Sequence, residues 1–211
     1  MLSRNALNGT LPTELAGLPA LAMVELSRNT FMGSLPSEIG TAAPKLQLLG
    51  ISGNKFSGSV ASELGKATQL QVLDLSSNEF EGELPALNRL TSLSFLSFAG
   101  NSLITGHIPS EWGQLTNLGY LSISDTSIRS KIPREYGSLS KLQNLFIANT
   151  QVGGSIPGAL VNMTSLQQLD LSGSRFRRSL PASIIQGLGN LGMLSSDTLA
   201  FLLFTTSIFC N

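Results

Sequence analysis

Apolar and polar residues alternate over short stretches that end, again and again, in asparagine or another small polar residue. The stretch LDLSSN at 73–78 recurs as VELSRN (24–29), LGISGN (49–54), LSFAGN (96–101), LSISDT (121–126), LFIANT (145–150) and LDLSGS (169–174), and LSRN at 2–5 is the end of an eighth copy. This alternation predicts a short, half-buried β-strand in every copy. The chain is therefore expected to repeat one structural unit.

The last residue of each copy, here called the ladder residue, falls at 5, 29, 54, 78, 101, 126, 150 and 174, so the repeat is 23 to 25 residues long. An apolar–proline pair and a further apolar anchor follow at matching positions. Two residues after the ladder residue we place a column of large apolar side chains, namely Leu7, Phe31, Phe56, Phe80, Leu103, Ile128, Val152 and Phe176. This period predicts a solenoid in which stacked coils bury one another's apolar columns and pair their strands into a parallel sheet.

The ladder residues predict how the chain turns after each strand. They are Asn5, Asn29, Asn54, Asn78 and Asn101, followed by Thr126, Thr150 and Ser174. Backbone groups that leave a strand ladder and stay buried cost about 1–3 kcal/mol each when unpaired. A short amide both donates and accepts, so it can satisfy such groups in its own coil and in the next. The proline on the opposite side presets an extended backbone.

The columns combine into LxxLxxLxLSxNxFxGxLPxELGxL, which GSLPSEIG, GHIPSEWGQL and GSIPGAL carry at matching phase. This pattern resembles the plant-specific class of leucine-rich repeats, found in receptor-like kinase ectodomains, receptor-like proteins and polygalacturonase-inhibiting proteins. The resemblance implies an α/β right-handed horseshoe of about eight coils, with a parallel sheet on the concave side, 3₁₀ or irregular segments elsewhere, and a role in recognition. We expect the repeat domain to cover 1–195, with a truncated first coil, and an apolar tail to cover 196–211.

The two ends depart from that family, in which cysteine-paired caps are usual. The chain opens in mid-coil, which is expected to leave Leu2, Leu7, Leu11 and Leu15 without a neighbour on one side. Its first residues have no apolar signal-peptide region. The apolar run LAFLLFTTSIFC at 199–210 is shorter than the roughly 20 residues that span a bilayer. We expect a piece of a longer protein or a capless relative.

Composition argues against catalysis and against nucleic acid as a partner. The 13 basic and 13 acidic residues cancel, although residues 1–128 hold 6 basic and 10 acidic side chains and the remainder holds 7 and 3. One cysteine and one histidine exclude an internal disulfide and a Cys/His zinc cluster. Phosphate-loop and kinase signatures are absent, and the acidic stretch EFEGE at 79–83 lacks a calcium-loop spacing. We expect neither enzyme activity nor a metal or cofactor.

Binding is therefore expected on the concave sheet, where residues between the buried leucines point outward. Three aromatic residues, Phe95, Tyr120 and Phe146, fall on consecutive coils, with Phe146 offset by one column. Exposed aromatics are frequent binding hot spots, whereas the alternative is that they are half-buried at the sheet edge. We predict a partner-binding site comprising Phe95, Tyr120, Phe146, Asn144, Gln168 and Asp170.

A basic patch is a second candidate site. It comprises Arg129, Lys131, Arg177 and Arg178, supported by Arg134 and Arg175, in the segments that follow the strands of coils two apart. Such a patch can hold an acidic polysaccharide or an acidic protein loop, although charged groups of this kind are more often a solvated face. The sequons at Asn8 and Asn162 are candidate glycosylation sites, predicted to lie in loops away from the strands.

The resemblance and the site together predict a non-catalytic module that binds a protein, peptide or polysaccharide through its concave face, with a co-receptor as a further partner. It would belong to a receptor-like, signalling glycoprotein on the cell surface, with membrane contact only through a parent protein or an extended C-terminal segment. Three alternatives stay open: a soluble inhibitor of a secreted enzyme, an intracellular (cytoplasmic) scaffold, and a protein that adsorbs to a surface through its flat Ser/Ala column.

Overall fold

The structure, a computed structural model, describes residues 2–177 and 187–195. The described residues form the predicted right-handed solenoid, and its concave side carries a continuous eight-stranded parallel sheet. Each strand pairs with the strand of the next coil, as expected when every coil repeats the same turn. In chain order these strands are β2 (Met23–Glu25), β4 (Leu48–Gly50), β6 (Val72–Asp74), β8 (Phe95–Ser97), β10 (Tyr120–Ser122), β11 (Asn144–Phe146), β13 (Gln168–Asp170) and β15 (Met193–Ser195).

A second parallel sheet follows the ladder residues, and the sequence did not predict it. It adds to the 3₁₀ and irregular structure expected outside the concave side, because the backbone after each turn also pairs with its neighbour at the coil spacing. The second sheet comprises β1 (Asn8–Gly9), β3 (Thr30–Gly33), β5 (Lys55–Ser59), β7 (Glu79–Glu83) and β9 (Leu103–Thr105). A separate pair, β12 (Gly153–Gly154) and β14 (Arg175–Phe176), continues it further along the solenoid.

Short helices form the convex side, as the family pattern implies. Proline or its substitute begins them in extended backbone, with φ −64° and ψ 139° at Pro133 and φ −65° and ψ 140° at Ala61, which stands where proline is missing. The 3₁₀ helices are η1 (Thr13–Gly17), η2 (Ser62–Lys66), η3 (Ser110–Gln114), η4 (Arg134–Ser138) and η5 (Gly158–Asn162), and coil 2 has the α-turn α1 (Ile39–Ala42) instead.

The core consists of the predicted apolar columns. Phe31, Phe56 and Phe80 stack with ring centroids 6.2 and 6.3 Å apart, so one aromatic spine links coils 2 to 4. In coil 5 the predicted spine residue was wrong: Leu103 is 55% exposed, while Ile104 is 2% exposed and takes its place. Coil 5 has one extra residue here, because its proline follows the ladder residue by eight positions rather than seven.

The asparagine ladder joins adjacent coils through both ends of the amide, as predicted. The Nδ2 group of Asn78 donates to the carbonyl oxygens of Leu75 in its own coil and Ile51 in the neighbouring coil. Its Oδ1 accepts from the backbone N–H of Phe56 at 3.0 Å. Asn78 thus pairs backbone groups of the preceding coil, whereas the sequence predicts that it pairs those of the following coil. Asn29, Asn54 and Asn101 repeat this arrangement, whereas Asn5 bonds only within its own coil.

Of the last three ladder residues, Ser174 still bonds the preceding coil, because its hydroxyl donates to the carbonyl of Ile147, whereas the two threonines act mainly within their own coils. Thr126 Oγ1 donates to the Ile123 carbonyl in its own coil. In coil 5 the N–H of Ile104 donates to the backbone carbonyl of Asn101 in the same coil. The extra residue makes this local bond possible, and it replaces the bond that a ladder amide of the next coil accepts elsewhere. Thr150 likewise accepts from Val152 of its own coil. The change from Asn to Thr therefore begins after coil 5, where the extra residue lies between the ladder residue and the proline.

The residue before each ladder residue has a left-handed backbone in all eight coils, with φ between 53° and 72°. Three of these residues are glycine, and five are not: Arg4, Arg28, Ser77, Asp125 and Asn149. A residue with a Cβ pays roughly 1–2 kcal/mol for this conformation, so the ladder bonds must stabilise the turn.

The first coil is exposed in part, as expected. Leu2 is 53% and Leu7 37% exposed, and Leu15 is half-buried, while Leu11 is 6% exposed and belongs to the core. The predicted tail at 196–211 lies outside the described residues. Within 2–177 and 187–195, no helix has both the length and the apolar character needed to cross a bilayer.

Candidate functional site

The register of the concave sheet aligns the predicted outward columns. Tyr120 pairs with Phe95 on one side and with Asn144 on the other, and Asn144 in turn pairs with Gln168. In the next column Ser97, Ser122, Phe146 and Asp170 are partners in sequence. The six residues predicted to bind a partner therefore lie on four adjacent strands.

The three aromatic rings form one cluster. Phe95 and Tyr120 stack with centroids 4.3 Å apart and an interplanar angle of 8°, and Phe146 meets Tyr120 edge-on at 5.5 Å. Each ring is half-buried, because the rings cover one another and cover Ser97 and Ser122, both 3% exposed. Mutual packing fixes the rings before any partner arrives, which lowers the ordering cost of association.

Polar groups extend the cluster toward the later coils. Asp170 Oδ1 accepts from the N–H and hydroxyl of Ser172, and the equivalent Asp74 Oδ1 accepts from Ser76. The side chains of Asn144 and Gln168 make no hydrogen bond to the part of the chain that the structure describes. These amides, and the second oxygen of each carboxylate, therefore have unused hydrogen-bonding capacity within the described chain.

The phenol of Tyr120 is neutral at ordinary pH. Partial burial raises its pKa above 10, and the charge of Asp74 acts in the same direction, while a hydrogen bond with Ser122 opposes both. Because the outward columns of β2 to β13 include Glu25, Asp74 and Asp170 but no lysine or arginine, this face is acidic. It is suited to neutral or basic ligands.

The small column of Ser27, Ser52, Ser76, Ala99, Ser124, Ala148 and Ser172 is less available than its flatness implies. The hydroxyl of Ser52 donates to Ser27, those of Ser76 and Ser172 donate to aspartates, and that of Ser124 accepts from the N–H of Ala148. These hydroxyls organise the sheet itself.

The predicted basic patch surrounds an open cleft on the second-sheet side. Arg129, Lys131, Arg175 and Arg177 line it together with His107, and its volume is about 580 Å³. Gly153 and Gly154 of the intervening coil form its floor, where no side chain fills the space. The spacing of the arginines correctly predicts that they share one face. It does not predict that His107 and the glycine pair also line the cleft, although the GG between the two basic segments is a visible signal of the glycine floor.

Two predicted patch residues lie elsewhere. Arg134 on η4 pairs with exposed Glu135 at 3.2 Å and does not line the cleft. Arg178 lies outside the described residues. Of the sequons, Asn8 begins the short strand β1 and Asn162 ends η5, so the prediction that both lie in loops was wrong, although both residues are exposed.

The acidic stretch at 79–83 forms strand β7, and its three glutamates are exposed. Among residues 2–177 and 187–195, no group of three histidine, cysteine or acidic side chains is placed to hold a metal ion.

Comparison with known proteins agrees with this geometry. The model of the leucine-rich repeat region matches residues 55–201. An Arabidopsis thaliana protein named as a leucine-rich repeat receptor-like serine/threonine-protein kinase is 49% identical over 84 residues, which cover 40% of this chain and 9% of the relative.

Solved structures share the fold. The plant peptide hormone receptor RGFR1, in complex with RGF2, superposes with a TM-score of 0.87 at 32% identity, covering 93% of this chain and 32% of that one. The Arabidopsis receptor kinase HAESA, in complex with the peptide hormone IDA and the co-receptor SERK1, gives a TM-score of 0.85 at 29% identity, covering 91% and 32%. The chain thus spans about a third of these receptor structures and a tenth of the curated relative.

Proposed function

The chain belongs to the leucine-rich repeat family, and from this premise we propose that it is a non-catalytic recognition module of a receptor-like protein that binds a peptide on its concave face. The observation that carries the proposal is the preformed cluster of Phe95, Tyr120 and Phe146 beside the unpaired amides of Asn144 and Gln168. Aromatic anchors with free polar neighbours are the usual composition of a binding hot spot.

The chemistry of the face narrows the ligand. Its outward charges are the carboxylates of Glu25, Asp74 and Asp170, so a neutral or basic peptide is favoured over an acidic one. An extended peptide lying across β8 to β13 would stack on the rings and offer backbone groups to Asn144 and Gln168. The peptide complexes of RGFR1 and HAESA support a ligand of this class.

The same family membership supports a location on the extracellular side of the plasma membrane, as part of a longer protein. A co-receptor is a second expected partner, as in the HAESA complex. Asn8 and Asn162, both exposed and outside the concave sheet, would accept glycans without covering the aromatic cluster.

A peptide-display selection tests the proposal. The chain would be immobilised and a random peptide library enriched on it, and the selected peptides would be measured by calorimetry against Tyr120→Ala and Phe146→Ala. We expect each substitution to weaken binding about tenfold or more, as for hot-spot residues. The matched control is Val72→Ala in the same column two coils away, which should change affinity less than threefold. Peptides that bind wild type and Tyr120→Ala equally would contradict the proposal.

A further inference from the structure

The second-sheet face carries opposite charges at two places along the solenoid. Glu79, Glu81 and Glu83 of β7 form an exposed acidic ridge in coil 4. Arg129 and Lys131 of coil 6 and Arg175 and Arg177 of coil 8 form the basic cleft. Counted from the ladder residue, the ridge residues and the cleft residues occupy the same positions of their coils, so they lie in the same rows of one face.

The two charged groups do not neutralise each other within one chain. Coil 4 lies two and four coil spacings from coils 6 and 8, or roughly 10 and 19 Å. That is a Debye length or more at about 0.1 M salt. Among the described residues the one ion pair joins Arg134 to Glu135, so all seven of these charges lack an ionic partner in the described chain.

We propose that a second copy of this chain supplies the partner, with the acidic ridge of each copy seated in the basic cleft of the other. Neighbouring strands of this sheet are shifted by two residues per coil, so the rows run obliquely to the strands. The face is self-complementary about a two-fold axis that lies in the plane of the face, perpendicular to the rows, between coils 5 and 6. Such an axis brings coil 4 of one copy opposite coil 7 of the other and keeps the rows aligned.

This arrangement places each glutamate beside a cation. Glu81 lies over Gly153 on the cleft floor, between Arg129 and Arg177 of the other copy. In the flanking rows Glu79 comes beside Arg175 and Glu83 comes beside Lys131. The glycine matters because a Cβ at buried Gly153 would meet the backbone of Arg175, so glycine lets coil 8 approach closely and place its arginines along the cleft.

The centre of the face is apolar. Leu103 of coil 5, 55% exposed, is the strand partner of Glu81 and lies close to the proposed axis, so the Leu103 side chains of the two copies become neighbours. An apolar centre with charged flanks is the usual layout of a protein interface. Five coils of this face cover about 400 Å² on each copy, which is the size of a weak and transient contact.

One residue opposes the contact and thereby fixes its register. Lys55 of coil 3 is exposed and, about the same axis, faces Arg175 of coil 8. Replacement of Lys55 by glutamate is therefore expected to strengthen association, because glutamate would attract Arg175. This effect is specific to the proposed register of the two faces.

The test is sedimentation velocity of the full 211-residue chain at high concentration, in about 0.05 M and about 0.5 M NaCl. We expect a monomer–dimer equilibrium that weakens at least tenfold at the higher salt. The ridge variant E79K/E81K and the cleft variant R129E/R177E are each expected to be monomeric. An equimolar mixture of the two should associate again, because every ridge then meets a cleft of opposite charge.

Two further variants complete the design. Glu111→Lys on η3 makes the same charge change away from this face and should leave the equilibrium unchanged, and Lys55→Glu should tighten it about threefold or more. The proposal is overturned if the chain is monomeric at both salt concentrations, if association survives either charge reversal, or if the mixture stays monomeric. Because the aromatic cluster lies on the other sheet, Tyr120→Ala should not affect dimerisation, and failure of either proposal leaves the other testable.

Discussion

Coils 2 to 5 and coils 6 to 8 make the same turn with different chemistry. In the earlier coils a buried asparagine links each coil to the one before it through one donated and one accepted bond, and it donates a second bond within its own coil. In coils 6 and 7 a threonine hydroxyl does the work mainly within its own coil, whereas in coil 8 the Ser174 hydroxyl again donates to the preceding coil, at the carbonyl of Ile147. The fold therefore requires that buried backbone groups be paired, but it does not require that the partner come from a neighbouring coil.

The consequence is a difference in how the two regions share their stability. An amide that serves two coils makes each dependent on the next, whereas a hydroxyl confined to one coil does not. The continuous second sheet ends at β9, where the asparagines end, which fits this difference. Four predictions test it, in decreasing order of expected effect.

Replacing Asn101 by alanine should produce the largest loss. The side chain is fully buried, and its removal takes the hydrogen-bond partner from the carbonyl of Phe98 and the N–H of Phe80, while the carbonyl of Leu75 keeps its bond from Asn78. At about 1–3 kcal/mol for each group, the free energy of unfolding should fall by about 2–6 kcal/mol. Thr150→Ala should cost less, about 1–3 kcal/mol, because Ser174 also donates to the Ile147 carbonyl and the N–H of Val152 is the group that loses its partner. Urea denaturation measures both.

Exposed Asn5 provides the control for that comparison, and Asn5→Ala should lie within about 0.5 kcal/mol of wild type. Equal losses at Asn101 and Thr150 would mean that the ladder amides do not link coils energetically.

Deleting Leu103 and replacing Thr126 by asparagine should be cooperative. The deletion shortens coil 5 by the extra residue and breaks the hydrogen bond from the Ile104 N–H to the Asn101 carbonyl. By itself it should lower the free energy of unfolding by about 1–3 kcal/mol. An asparagine at 126 would supply the missing acceptor. A double-mutant cycle should show a favourable coupling of about 1–2 kcal/mol between the two changes. If the two changes in the free energy of unfolding simply add, the extra residue in coil 5 is not the reason that Thr126 can replace asparagine.

Tyr136→Phe should stabilise the later coils, whereas Trp112→Phe at the equivalent anchor of coil 5 should destabilise. Trp112 Nε1 donates to the carbonyl of Pro85 at 3.0 Å, while the Tyr136 hydroxyl is buried without a hydrogen-bond partner in the described chain. Removing that hydroxyl should raise the free energy of unfolding by about 1 kcal/mol and the melting temperature by about 2–4 °C. A lower melting temperature for Tyr136→Phe would contradict the structure.

The same variant has a pH signature. Burial raises the pKa of Tyr136 well above its usual value of 10, so the unfolded chain loses this proton first. The contribution of the neutral phenol is present below pH 10 and is lost as pH rises from 10 toward the folded pKa. Wild type should therefore lose about 1.4 kcal/mol per pH unit more than Tyr136→Phe in that window, and nothing more below it. Equilibrium urea denaturation at a series of pH values measures the difference.

The smallest effects concern the left-handed turn residues. Ser77→Gly relieves backbone strain and should stabilise by about 0.5 kcal/mol after the entropy cost of glycine. Asn149→Gly should destabilise by a similar amount, because asparagine tolerates this conformation and its Nδ2 donates to Asp125 at 2.8 Å. Thermal melts of the two variants show whether each substitution raises or lowers the melting temperature. A change in the same direction for both would contradict the proposed difference between Ser77 and Asn149.

Much of this fold can be predicted from the sequence, because the repeat samples each position eight times. The leucine columns, the ladder and the register of Phe95 with Tyr120 all follow from period alone. The second sheet does not, since the segment after the ladder residue has no strict alternation and its strands are defined by neighbouring backbones. The exposure of Leu103 follows from one extra residue, which the longer interval from Asn101 to Pro109 records.

The binding site is predictable in part for the same reason. Strand periodicity locates the outward aromatics, but whether they are packed together depends on ring orientation, which the sequence does not contain. The basic cleft depends on what is missing at Gly153 and Gly154 as much as on its arginines, and a charge count cannot show an absence of side chain.

The coils of unequal length have a consequence for how this surface can change. Coils 2 and 5 have one residue more than the common repeat, and coil 4 has one fewer. Coil 2 accommodates its extra residue in α1, coil 5 accommodates it before Ile108, and coil 4 is shorter because it lacks the convex helix. The concave strands stay in unbroken register across all of them. Insertions and deletions on the outer sides are thus mechanically isolated from the recognition sheet, so natural variation or a designer can alter the outer surface and its contacts while the ligand face keeps its geometry.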